Sequence, residues 1–153
     1  MSSAQTHVAW SDKFALDLPE IDDQHKYLFG LIDTIWRAVA SRADRETTLG
    51  VVAELERYTV THFAAEEAFM REQQYSRYHE HRAEHEKFVA RIALEKASVK
   101  AGQPLSLELT HFLRDWLVQH IRFADRAYAD EFRDREKAAM KGSLAKFFKR
   151  FLG

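Results

Sequence analysis

The sequence predicts an all-α protein: an up-down-up-down four-helix bundle with an N-terminal arm and a short C-terminal amphipathic helix. Two observations carry this. Apolar and histidine residues recur at alternating gaps of three and four along four successive segments, which is the signature of one face of a helix. The 153 residues contain only five glycines and two prolines, and Pro19, Gly102 and Pro104 fall where helices should begin or end. Segments of roughly 23–30 residues joined by short connections pack as antiparallel neighbours.

Residues 1–18 form a mixed arm, and Pro19 suits a first helical turn because its missing N–H would have no partner there anyway. From that point Ile21, His25, Leu28, Ile32, Ile35 and Val39 make the first seam. It fades at Ser41-Arg42-Ala43-Asp44, where Asp44 is a natural N-cap for a second helix. The second seam runs through Val52, Leu55, Thr59, His62, Glu66 and Phe69. The polar stretch Glu72–Ser76 follows, with Ser76 placed to cap a third helix. That helix carries His81, His85, Phe88, Ile92 and Val99, and it stops at Gly102-Gln103-Pro104, the clearest break in the chain. The fourth passes through Leu109, Leu113, Trp116 and His120 toward Tyr128. Phe29, Trp36, Phe69, Phe88, Phe112 and Trp116 are expected in the core. The whole chain reads as one domain, with the arm at 1–18, the bundle at about 19–131 and a basic tail at about 137–153.

Composition narrows the function. Lys and Arg number 23 against 24 Asp and Glu, so a strongly basic nucleic-acid binder is excluded. There is no cysteine, which removes disulfides, thiolate metal sites and cysteine nucleophiles. The N-terminal MSSAQTHVAWSDKF has no apolar signal-peptide core, so a cytoplasmic location is expected. Residues 137–153 stand apart, with five basic residues and no acidic one, while Leu144, Phe147, Phe148 and Phe151 share a helical face. Two readings stay open for this tail: a helix folded back onto the bundle, or one that docks on a membrane surface or an acidic protein partner.

Five of the eight histidines lie on the seams that face the core: His25, His62, His81, His85 and His120. Glu66 shares a seam with His62, and Asp125 follows His120 on the fourth helix. Buried imidazoles and carboxylates are costly unless paired or coordinated. Their heights agree. His25 stands about 18 residues before the turn near residue 43, and His62 about 19 after it. Around the turn near residue 103, His85 and His120 are about 18 and 17 residues away, while His81 and Asp125 are each about 22 away. At 1.5 Å per residue the mismatches come to roughly 1–5 Å, so all seven share one slab of the bundle. His62 with Glu66, and His81 with His85, are i,i+4 pairs on one face. His120 and Asp125 are i,i+5, about 140° apart on an ideal helix, and need side-chain reach or a locally widened turn. Five imidazoles and two carboxylates exceed what one tetrahedral zinc can use. They suit two first-row metals bridged by the carboxylates, and imidazole ligation without sulfur favours iron.

The strings Asp23-Gln24-His25, His62-Phe63-Ala64-Ala65-Glu66-Glu67, His81-x-x-x-His85 and His120-Ile121-x-x-x-Asp125 together resemble the hemerythrin family, and most closely its single-domain bacterial members. Trp10, Met70 and Tyr75 also match positions of that pattern, and the likeness extends over roughly residues 7–130. The resemblance implies a non-haem centre of two iron ions with an oxo or hydroxo bridge, which binds dioxygen reversibly for carriage, storage or local supply. It implies that His81, His85 and His120 ligate one iron, that His25 and His62 ligate the other, and that Glu66 and Asp125 bridge them. Dioxygen would bind at the iron with two histidines, in a pocket whose positions correspond to Leu28, Phe63, Trp116, Leu117 and Ile121. All five are apolar, as a water-excluding pocket requires.

Other readings of the same residues are weaker. His81-Arg82-Ala83-Glu84-His85 fits the H-x-x-E-H signature of inverted zinc proteases, but that reading leaves three core histidines unexplained, and Glu84 is expected to be solvated. Glu108-Leu109-Thr110-His111 is a lone Glu-x-x-His, whereas a ferritin-like oxidase needs two. His7, His79 and His111 lack seam positions and are expected at the surface. Gln24 beside His25 could support a ligand from behind, although exposure is the favoured expectation, while Tyr128 could either bond near the site or close the bundle. The sequence therefore reads as a dioxygen-binding protein and not an enzyme. The alternatives are a di-iron peroxidase, oxidase or nitric-oxide-consuming enzyme, and an iron buffer.

Overall fold

A computed structural model describes residues 9–152, with side chains described through residue 142 and at Lys149. Five α-helices account for most of it: α1 (Pro19–Ala40), α2 (Arg45–Glu72), α3 (Tyr78–Lys100), α4 (Leu107–Gln119) and α5 (Arg126–Leu152). A π-helical turn, His120–Asp125, joins α4 to α5, so the two form the fourth rod of the bundle. No strand occurs among the described residues. None of the described helices is long and apolar enough to cross a membrane.

Local chemistry explains the helix ends. Pro19 opens α1, and the Asp44 side chain caps α2 by accepting from the Thr47 N–H at 2.8 Å. Ser106 caps α4 in the same way through the Leu109 N–H. The first three helices end alike, each with a residue in the left-handed conformation and paired back-bonds to the last turn. At α1 these bonds are Ala43 N–H to the Ala38 carbonyl and Arg42 N–H to the Val39 carbonyl; at α2 they are Tyr75 to Met70 and Gln74 to Arg71. At α3 they are Gln103 to Ser98 and Gly102 to Val99. Only α3 uses glycine, at φ 102°; Arg42 and Gln74 hold φ 52° and 53°, and each bears the left-handed penalty of about 1–2 kcal/mol. Ser76 does not cap α3. It lies before the capping position, Arg77, and its N–H and hydroxyl both bond the Glu131 carboxylate on α5.

The helices pack as the seams require. α1 lies beside α2 and α4, and α2 lies beside α3. Large rings close the bundle between α3 and α4, with Phe88 at 4.2 Å from Trp116. A long apolar cluster from Phe14, Leu28, Ile35, Val52, Leu55, Phe88, Ile92, Leu109 and Leu113 fills one side. A smaller one of Leu16, Ile21, Met70, Tyr128 and Ala129 closes the other. By residue number, the seven polar seam residues fall between the two clusters. Of the expected core aromatics, Phe29 and Phe88 are buried, while Trp36, Phe69, Phe112 and Trp116 are half-buried.

Residues 14–18 are less of a free arm than expected. Phe14 and Leu16 are fully buried, and the Leu16 N–H donates to the buried Asp22 carboxylate at 2.9 Å. Arg126 and Arg133 donate to the Ala15 and Leu16 carbonyls, tying this strap to α5.

The tail also departs from expectation. It is not a separate short helix but the far end of α5, which runs unbroken to Leu152. Residues 134–142 are all exposed, so this stretch does not fold back onto the bundle. The side chains of Leu144, Phe147, Phe148 and Phe151, on which the amphipathic reading rests, lie outside the described ones, as does His7.

Candidate metal centre

The structure brings all seven seam residues together: His25 from α1, His62 and Glu66 from α2, His81 and His85 from α3, and His120 and Asp125 from the π-turn. All seven are buried, and Glu66 and Asp125 are fully so. The π-turn is the local adjustment that this required. A regular helix would swing Asp125 away from His120, whereas here His120 Nε2 and Asp125 Oδ1 are 3.1 Å apart.

Their potential ligand atoms fall into two groups. One contains His81, His85, His120, Glu66 and Asp125; the other contains His25, His62 and Glu66. Each carboxylate divides its oxygens between them. Asp125 Oδ2 lies 3.1 Å from His25 Nε2, while Oδ1 lies 3.0 Å from His81 Nε2. Glu66 Oε1 faces His62 and His25, the latter at 3.7 Å, while Oε2 faces His81 at 3.6 Å.

The atoms are close, yet most do not bond one another. Both oxygens of Glu66 and of Asp125, and both ring nitrogens of His25 and His81, are buried without a hydrogen bond of acceptable geometry. Buried polar atoms are rarely left this way. His85 Nε2 and His120 Nε2 stand 3.1 Å apart, a separation that requires either a proton on one of them or a shared cation between them. Donor atoms aimed at shared points rather than at each other are what two divalent or trivalent cations need, so the residues fit a two-metal group.

Three histidines are held from behind. His62 Nδ1 is 2.6 Å from Gln24 Oε1, His85 Nδ1 is 3.1 Å from Glu67 Oε2, and His120 Nδ1 is 2.9 Å from Glu84 Oε2. An acceptor at Nδ1 puts the proton there and leaves Nε2 free to face inward. Two expectations are corrected here. Gln24 is half-buried on His62 rather than simply exposed, and Glu84, although 52% exposed at its side chain, is engaged with His120. Glu67 stands in the motif string beside Glu66, but nothing in the sequence gives it this role. Each of these three residues adjoins a seam residue in sequence but serves a histidine on a neighbouring helix, so a search along single seams passes over them. Of the other histidines, His79 is exposed and His111 half-buried, and neither joins the cluster.

Without cations the cluster's charges are unequal. Burial alone would depress His25, but the pull of Asp125 and Glu66 outweighs it and raises the ring to about 9. Burial likewise opposes His120, which Asp125 and Glu84 carry up to about 10. His85 goes the other way, to about 3, through burial and the positive charge of its neighbours. Burial also disfavours the ionised forms of Glu66 and Asp125, yet the surrounding histidines hold both below the usual carboxylate range. Tyr128, 5.5 Å from His81, is raised well above its ordinary value by burial and the two carboxylates, and its hydroxyl has no hydrogen-bond partner.

Apolar walls enclose the cluster. Phe63 stacks on His85 at 3.7 Å and Trp116 on His120 at 4.3 Å. Leu28, Phe63, Leu117 and Ile121 are buried, Trp116 half so. A surface groove of about 450 Å³ between α2 and α3, lined by Val60, Phe63, Glu67, His85 and Val89, reaches this wall from outside. A cleft of about 500 Å³ between the α1–α2 and α3–α4 turns is larger but holds no candidate ligand, so size does not select the site.

Fold and site together define a four-helix bundle with an internal histidine–carboxylate metal cluster. Residues 16–132 match the family model described as the hemerythrin HHE cation binding domain. The chain is 32% identical over 152 residues to a protein named bacteriohemerythrin from Pseudomonas paraeruginosa, an alignment covering 96% of this chain and 99% of that one. It is 32% identical over 119 residues to the myohemerythrin of Riftia pachyptila, covering 78% and 88%. A wild-type hemerythrin crystal structure superposes with a TM-score of 0.76 at 31% identity, over 80% of this chain and 95% of that one. The chain belongs to the hemerythrin family.

Proposed function

We propose that the protein binds dioxygen reversibly at two non-haem iron ions, with His81, His85 and His120 holding one, His25 and His62 the other, and Glu66 and Asp125 bridging them. The observation that carries this reading is the division of each carboxylate's two oxygens between the two histidine groups. Two ferrous ions, when bound, supply the two electrons and the open coordination position that reversible dioxygen binding requires.

The protein's own residues do the rest. Five inward Nε2 atoms offer neutral donors, and the two carboxylates offset part of the metal charge. With three histidines on one side and two on the other, the two-histidine side is the one left with room for a ligand. Leu28, Phe63, Leu117 and Ile121 keep water from that space, which limits irreversible oxidation. Myohemerythrin and hemerythrin among the relatives support the carrier reading over the enzyme and metal-buffer alternatives.

An anaerobic-to-aerobic optical titration with iron analysis tests this. Two irons per chain, and a visible charge-transfer band that appears in air and disappears under vacuum, are the expected result. A spectrum that oxidises once and never returns, with turnover of peroxide or nitric oxide, favours the enzyme reading instead. Leu117→Ala should keep its iron while changing the rates of dioxygen release or autoxidation; unchanged kinetics remove Leu117 from the pocket.

A further inference from the structure

We propose that Glu67 and Glu84 are positioning residues that make the three-histidine metal position the more electron-rich of the two, and that the neutral Gln24 keeps the two-histidine position electron-poor. This rests on the di-iron reading above. The argument comes from which acceptor stands behind which ring. Both carboxylates that contact a histidine Nδ1 do so within the group of three: Glu67 on His85 and Glu84 on His120. The partner within the group of two is an amide oxygen, Gln24 on His62. Neither His25 nor His81 has a hydrogen-bond partner at Nδ1.

A carboxylate accepting from Nδ1–H draws the proton toward itself and leaves more negative charge on the ring, so Nε2 becomes a stronger donor to a cation. An amide carbonyl fixes the same tautomer and orientation but contributes no net charge. Two imidazoles out of three are strengthened on one side and none out of two on the other. The stronger donor set favours the ferric state at the three-histidine position. The weaker set leaves the other ion a better acceptor for an added ligand. Solvent does not erase the effect, because the rings through which it acts are buried even though Glu84 is half-exposed. Arg82, 3.6 Å from Glu67, shares that carboxylate, so Glu84 is the stronger of the pair.

Glu67→Gln with Glu84→Gln removes the charge while keeping an acceptor at each ring, and Gln24→Glu adds a charge on the opposite side. In iron-loaded protein, the double Gln variant should move the ferric-to-ferrous equilibrium about tenfold toward ferrous, a positive shift of ~59 mV for a one-electron couple. Gln24→Glu should move it in the negative direction. Zinc affinity, a readout independent of oxygen chemistry, should fall roughly tenfold in the Glu67→Ala, Glu84→Ala pair and less in the Gln pair. Nitrogen-15 spectra of zinc-loaded wild type should show the Nδ1–H tautomer at His62, His85 and His120. A ferric-to-ferrous equilibrium that stays within twofold of wild type in the double Gln variant, with two irons bound, overturns the proposal and leaves the di-iron reading standing. A wild-type protein that takes up no iron overturns the di-iron reading instead. An unprotonated Nδ1 at His85 or His120 in the zinc-loaded protein refutes the pairs themselves.

Discussion

Phe63→Ala tests how the apolar wall both holds the bundle and protects the cluster. Phe63 is 4% exposed, stacks on His85 at 3.7 Å with rings 5° from parallel, and has its ring centroid 5.8 Å from those of both Phe88 and Trp116. Full burial of a phenylalanine contributes ~1.5–3 kcal/mol. The cavity left by truncation brings the usual core cost to ~3–5 kcal/mol. The lower part of that range applies here, because the groove lined by Val60, Ala64 and Val89 borders the ring and lets water enter the space rather than leaving a void. About 3 kcal/mol should lower Tm by ~6–12 °C for a chain of this size. The same opening leads water to His85, so oxygenated protein should autoxidise faster at unchanged iron content, whereas Phe63→Leu should lie between wild type and Phe63→Ala in both properties. Thermal melts monitored by circular dichroism measure the first effect, and decay of the oxygenated spectrum measures the second. A loss below about 1 kcal/mol, or unchanged autoxidation beside a clear loss of stability, would refute the reasoning that Phe63 seals this side.

His62→Ala removes one of the two histidines on its side and should lose at least one iron and all reversible oxygen binding; iron analysis showing two ions, with normal oxygen uptake, would overturn the ligand assignment. Metal-free protein should be most stable near pH 6.5. The raised pKa values of His25 and His120 give stability that is fully present below their unfolded value of 6.5 and is lost as pH climbs through about 9 and 10. The depressed His85, and the lowered Glu66 and Asp125, give stability that is lost as pH falls. Melts at pH 5, 6.5 and 9.5 check this, and a monotonic trend would contradict it. Asp22→Ala leaves the buried Leu16 N–H without its acceptor and should cost ~1–3 kcal/mol in urea unfolding; no measurable loss would mean that the strap does not depend on this bond.

The bundle and the seven converging residues were legible because a helical seam repeats every three or four residues, and a buried histidine on such a seam stands out against its apolar neighbours. The His120–Asp125 spacing calls for either side-chain reach or a widened turn, since five residues do not fit one face of an α-helix, and the structure takes the second. The helix ends were less legible. α3 stops at Gly102, a residue made for the left-handed conformation, but α1 and α2 stop at Arg42 and Gln74, which carry no such mark. Ser76 has the chemistry of a cap but is claimed by Glu131, 55 positions away in the chain. The tail was read as a separate helix because its composition changes, yet nothing in residues 126–152 interrupts the backbone hydrogen bonding, and the helix simply continues.

What the sequence determined by itself is whatever depends on period and distance along the chain: four rods, the face each one buries, and the height at which imidazoles and carboxylates meet. What only the tertiary structure decided is whatever depends on neighbouring rods. Glu67 reaches His85 from α2, Glu84 reaches His120 from α3, and Gln24 reaches His62 from α1. The division of the Glu66 and Asp125 oxygens between two groups of histidines is likewise a matter of how the rods are rotated against each other. Those angles come from packing side chains of particular shapes, such as Phe63 on His85 and Trp116 on His120, and no spacing within a single helix encodes them.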